Sequence, residues 1–180
     1  MNKILLLALL ASLCGCATTV PNKNPVGRLF PGVKGNALDG KVWSFPNDVK
    51  GKKVLLLIGY KQETQFDIDR WLIGIDQKRY KINVFEVPTI QGWVPRLIAG
   101  KIDEGMRSGI PEDLWKVVVT VYSDADKIIN FLGNEEPLNA RVVVVGGDGK
   151  VQYAHSRGFS VNALNKLSKY FPSQIAEKCK

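Results

Sequence analysis

The chain is poor in the residues that usually carry chemistry. Its 180 residues contain one histidine, His155, and three cysteines, Cys14, Cys16 and Cys179. One imidazole and one thiol near the end do not make a zinc set. His155 lies in Tyr153-Ala154-His155-Ser156-Arg157-Gly158, where neither Ser156 nor Ser160 would face it productively as a nucleophile. It reads as a hydrogen-bonded structural residue. A phosphate-binding glycine loop is also missing. Gly146-Gly147-Asp148-Gly149 joins two apolar runs instead of opening a helix, so it reads as a turn. Asp124 and Asp126 lack the closing acidic residue of a calcium loop, and Asp124 is expected to cap a helix. Positive charge is present, +8 overall, but scattered. Without a basic face interleaved with aromatics, nucleic acid is excluded as a partner, and attraction to anionic headgroups or plain solvation is expected.

No apolar run is long enough to span a bilayer as a mature helix. The longest stretch, Ile4–Leu13, follows Lys3 and has the form of a secretory signal. Its end, Leu13-Cys14-Gly15-Cys16, resembles the lipobox of bacterial lipoproteins: an aliphatic residue, a tolerant position, a small residue and the modified cysteine. The resemblance implies a signal peptide over residues 1–15 and diacylglyceryl and N-acyl (palmitate-type) chains on Cys16. With Ala17-Thr18 following, it implies a cell-envelope location, at the outer membrane and facing the periplasm. Residues 16–25 then form a polar lipidated tether that is not expected to pack. Cys179 remains as a lone thiol in a polar tail, 173–180, with no partner for an intramolecular disulfide.

Between these ends lies one domain, 26–172. Asp39-Gly40 is a hairpin signal, followed by the alternating Val42–Phe45. Val54–Ile58 is a buried strand, Lys61-Gln62-Glu63-Thr64-Gln65 a polar loop, and Phe66, Ile68, Trp71, Leu72 and Ile75 the core face of a helix capped by Thr64. Asp67 completes a near capping box, and Gly74 slightly weakens the helix. Ile82–Val87 is a second strand, and Trp93–Arg107 a second helix with Val94, Leu97, Ile98 and Ile102 at helical spacing. Lys116–Tyr122 is a third strand, followed by a short helix through Ile128, Ile129 and Leu132. Arg141–Val145 and Lys150–Ala154 form a closing hairpin. Ser160 caps a last helix with Val161, Leu164, Leu167 and Phe171 on one face. Strands that alternate with helices pair in parallel through right-handed crossovers. The expected class is therefore α/β, with a mixed central sheet and helices on both faces. Trp93 and Trp115 lie near loops and are candidates for an interface.

This order, with its closing β-β-α unit, resembles a thioredoxin fold: a three-layer sandwich with an N-terminal β-hairpin extension. Phe30-Pro31 with its hairpin, the strand and helix ending in Arg70-Trp71, and Val142–Val151 with Asp148-Gly149-Lys150 are similar to bacterial relatives of the Atp-ten family of mitochondrial ATP synthase assembly factors. The resemblance implies an assembly role through an unidentified protein partner. Thiol chemistry at the usual position is not expected, because Lys61–Gln65 stands where such enzymes carry cysteine at a helix start. The fold's usual cis-proline is also missing, with Asn139-Ala140 in its place. No catalytic residue, metal or non-covalent cofactor is assigned. Arg107 and Arg157 are a candidate anion or partner contact if the fold unites them. Two alternatives stay open: a thiol reductase or peroxidase using Cys179, and a small-ligand-binding module with a pocket over residues 60–65.

Overall fold

The computed structural model describes residues 19–172. The expected signal peptide, Cys14, the expected acylation position Cys16, the polar tail and Cys179 lie outside the described residues.

Among the described residues, seven strands form the frame. β1 (Val33–Ala37) and β2 (Val42–Phe45) make the hairpin, and β1 also pairs antiparallel with the two-residue β5 (Val119–Thr120). The second sheet has the order β4-β3-β6-β7, with β3 (Val54–Gly59), β4 (Asn83–Pro88), β6 (Arg141–Val145) and β7 (Val151–His155). β3 and β4 run parallel, whereas β6 and β7 are antiparallel to their neighbours. Two parallel bridges, Glu86 to Val118 and Thr89 to Val121, join the sheets along the β4 edge. The mixed sheet expected from the sequence is thus present.

β3 is central, and each of its six residues is buried. A strand covered on both faces needs a continuous apolar run rather than an alternating one. Val54, Leu56 and Ile58 face one core with Phe30, Phe45, Phe85, Val121, Ile128 and Phe131. Leu55 and Leu57 face the other, with Ile68, Trp71, Ile75, Leu164, Leu167 and Phe171. Each such aliphatic side chain stabilises the fold by about 1.5–3 kcal/mol through burial.

Helix α1 (Gln65–Lys78) and the short α5 (Val161–Lys166) cover the second core, and α4 (Ala125–Leu132) covers the first. Gly74 has a packing reason the sequence did not disclose. A Cβ there would stand 2.7 Å from Leu164 Cδ2, so its bare backbone lets α1 and α5 approach. Ser160 caps α5 as expected, its Oγ accepting from the Ala163 amide at 3.1 Å.

Several expectations need correction. Phe66 is 71% exposed and Val161 is 61% exposed, so neither joins the core. The helix expected over Trp93–Arg107 is two: α2 (Trp93–Leu97) and α3 (Ala99–Gly109) break at Ile98, whose backbone leaves the helical region. Neither helix buries a residue. Lys116–Tyr122 is a strand only in part, because Glu112–Val117 winds into a 3-10 helix. Asp124 does not cap α4 with its side chain. Its carboxylate instead accepts from the Lys34 amide and from Lys127 Nζ, both at 2.8 Å.

The described part of the tether packs. Val20 and Asn134 exchange two hydrogen bonds, and the Lys23 amide donates to Leu132 O at 3.0 Å. Gly133 makes this contact possible. Its φ is +85°, and a Cβ would collide with Pro21 O and the Asn22 backbone.

Candidate functional site at the carboxyl end of the central strands

β3 and β4 run parallel with Gly59 opposite Pro88, so the segments that follow them emerge at the same end of the sheet. Ligands of open α/β sheets bind at such ends. After Gly59, Tyr60 is half-buried, Lys61, Gln62, Glu63 and Gln65 are exposed, and Thr64 is fully buried.

Thr64 is not the side-chain cap of α1. Its Oγ1 accepts from the Lys61 amide at 3.2 Å, closing a single 3-10 turn, and donates to Pro137 O at 2.9 Å. The hydroxyl is therefore spent on joining two loops. Gln65 Nε2 reaches Asp69 Oδ1 at 2.9 Å and Glu86 Oε2 at 3.2 Å. Burial pushes the Glu86 carboxyl above its usual range, and the Gln65 bond works against that.

Asp67 lies one turn behind, 6% exposed. Its Oδ2 accepts from the Ala140 amide at 2.9 Å and its Oδ1 from the Phe159 amide at 2.8 Å. Both oxygens thus receive backbone donors from separate loops. The capping-box reading of Asp67 is replaced by this cross-link.

Arg141 opens β6 and is 2% exposed. Nε donates to Gly133 O at 3.3 Å, and Nη1 lies within 3.1–3.3 Å of the carbonyls of Glu136, Asn139 and Ser156. Nη2 donates to Asn22 Oδ1 at 3.1 Å. The guanidinium stands 5.3 Å from the Tyr60 ring centre. Burial pushes the Tyr60 phenol far above its ordinary value, and the cation partly opposes this. Burial also lowers the Arg141 pKa, against the pull of Tyr60 and Glu136.

Thr64, Asp67 and Arg141 together fasten the loops at 60–65, 133–141 and 155–159. Residues 19–172 contain no cysteine, so no thiol stands at this position. Pro137 meets Thr64, but the described chain has its one cis peptide elsewhere, at Phe45-Pro46.

His155 is committed to structure: its Nε2 is 2.8 Å from Gly158 O, and its ring packs edge-on against Trp71. Arg107 and Arg157 do not form a joint site. Arg107 Nε donates to Leu38 O at 2.7 Å beside the β1–β2 turn, with its guanidinium over Trp115. Arg157 follows β7, the edge strand of the other sheet. No group of three His, Cys, Asp or Glu among the described residues is placed to hold a metal.

The more telling surface is apolar. Trp93, Val94 and Leu97 of α2 are 72, 49 and 75% exposed, and Ile98, at the break that follows, is 45% exposed. Phe66 and Leu138 are also exposed and flank the Thr64–Pro137 bond. Helical spacing made the α2 residues look like core. They lie instead on a short separate helix that buries none of its residues. Asp67 and Arg141 were missed as well, although a lone arginine abutting four valines was a usable signal.

No protein-family profile matches the chain, and no curated protein matches it in sequence. Solved structures do. The exposed lipoprotein thioredoxin Etrx1 of Streptococcus pneumoniae is 14% identical, with a TM-score of 0.53 over 78% of this chain and 99% of that one. A putative protein disulfide isomerase of Bacteroides thetaiotaomicron is 11% identical, with a TM-score of 0.54 over 91% and 100%. Copper-bound yeast Sco1 is 10% identical, with a TM-score of 0.55 over 82% and 93%. At such identities the likeness concerns architecture alone: the chain has a thioredoxin-like fold, with its four-stranded mixed sheet extended by a second, antiparallel sheet.

Proposed function

We propose that this protein is a lipid-anchored, periplasm-facing member of the thioredoxin-like group. In this reading it binds another protein without redox chemistry, as an assembly factor similar to bacterial relatives of the Atp-ten family. The observation that carries the reading is the exposed face Trp93-Val94-Leu97-Ile98, beside a strand-end loop that has no cysteine. Apolar patches of this kind mark interaction surfaces, and aromatic residues at their centre supply most of the binding energy. The Leu13–Cys16 lipobox supports the anchor. The pneumococcal neighbour, described as an exposed lipoprotein thioredoxin, is a precedent for that pairing of fold and anchor.

The test is site-specific photocrosslinking in cells, with the reactive residue at Leu97 or, as a control, at exposed Lys50. A discrete adduct from Leu97 that disappears in Trp93→Ser supports the reading. The same adducts from both positions, or none from either, refute it. The rival, a thiol reductase or peroxidase using Cys179, is read by insulin reduction and peroxide turnover. Activity that is lost in Cys179→Ser would replace the non-catalytic reading. Fatty-acid labelling that persists in Cys16→Ala would overturn the anchor.

A further inference from the structure

A cavity of about 730 Å³ lies between residues 22–26, β7 and α5. Small-molecule sites commonly have this size. Its wall is one-signed: Lys23, Arg141, Arg157 and Lys166 line it, and no carboxylate among the described residues does. Two of these cations are used internally. Lys23 Nζ donates to Asn130 O at 2.8 Å, and Arg141 holds the loop carbonyls described above. The side chains of Arg157 and Lys166 make no hydrogen bond or ion pair with the described residues. Asn162 and Ser156 add polar groups, and Val26, Leu132 and Val143 add an apolar wall.

We propose that this cavity is a binding site for a phosphate ester. A guanidinium offers two parallel donors to phosphate oxygens and an ammonium adds a point charge, which together suit a tetrahedral anion. A cavity of one sign concentrates counter-ions of the other. The apolar wall accommodates the organic part of the ester. The ester is either a lipid headgroup or a soluble metabolite. Asn22 stands six residues after Cys16, a span of at most about 20 Å of extended chain. An anchored domain therefore holds the cavity within reach of the bilayer surface. Only this headgroup source rests on the proposed anchor.

The experiment titrates the full chain, purified from membranes in neutral detergent, by calorimetry. The probes are inorganic phosphate, dihexanoyl phosphatidylglycerol and dihexanoyl phosphatidylcholine. Saturable binding of phosphate or phosphatidylglycerol is expected, weakened about tenfold or more in R157Q/K166Q and unchanged in K50Q/K52Q. Binding of phosphatidylglycerol without phosphate assigns a headgroup, and binding of phosphate assigns a soluble source as sufficient. Absence of saturable binding by both, or equal affinity in R157Q/K166Q, overturns the site. Intact mass is measured on the same sample. A chain without acyl groups that still binds phosphate overturns the anchor and keeps the site.

Discussion

Replacing Asp67 with alanine tests whether the strand-end region is a fastening rather than a reaction centre. The carboxylate is 6% exposed and receives the Ala140 and Phe159 amides. Hydrogen bonds to a charged group contribute about 1.5–3 kcal/mol each, and a buried donor left without a partner costs about 1–3 kcal/mol. These figures describe overlapping parts of the same loss, so the two bonds together give about 3–5 kcal/mol. For a domain of this size, about 2–4 °C accompanies each kcal/mol, so the melting temperature falls by about 6–20 °C. Asp67→Asn keeps the shape but offers only one acceptor oxygen, with its amide group facing a second donor. It should recover less than half of the loss. Asp69→Asn, on the exposed face, should stay within about 0.5 kcal/mol of wild type. The assay is denaturant unfolding followed by tryptophan fluorescence, with the slope compared to exclude a change in the unfolded state. A loss below about 1 kcal/mol for Asp67→Ala, or equal effects at Asp67 and Asp69, would refute the reasoning.

Two further outcomes are expected. Gly133→Ala places a Cβ on Pro21 and Asn22, so it should expel residues 20–23 from their seat; trypsin cleavage after Lys23 should accelerate while the core melts as one unit. Asp124 has its carboxyl held below the usual range by Lys127 and the Lys34 amide. A depressed folded-state pKa stabilises above the unfolded value and loses its effect as pH falls through the folded one. Asp124→Asn should therefore cost about 1 kcal/mol at pH 7, with the difference from wild type vanishing in strong acid; unfolding midpoints measured across pH check it.

The parts of the fold legible in the sequence were those set by local physics. Val54–Ile58 and Val142–Val145 are apolar without alternation because β3 and β6 are covered on both faces. Asp39-Gly40, Asp148-Gly149 and Ser160 are turn and cap chemistry that acts within a few residues. The misread parts depend on distant partners. Asp67 had a sufficient local explanation in the first helical turn, and nothing near it in sequence indicates Ala140 or Phe159. The Arg141 cluster gathers groups from residues 22, 133, 136, 139 and 156, a coincidence no window contains. Trp93–Ile98 has helical spacing whether it faces core or solvent, so periodicity alone could not place it.

The docking of Val20–Lys23 has a mechanical consequence. If Cys16 carries the anchor, the lipid stands only four residues before Val20, at most about 14 Å of extended chain. The domain then rides against the bilayer and has little freedom to swing. A pull on the lipid enters first through the paired bonds of Val20 and Asn134, and next through Asn22 to the Arg141 guanidinium. That guanidinium also grips the loop carrying Pro137, which Thr64 holds. With such an anchor, tension at the membrane would be delivered to the strand-end loops and would set the posture of the apolar surface beside them.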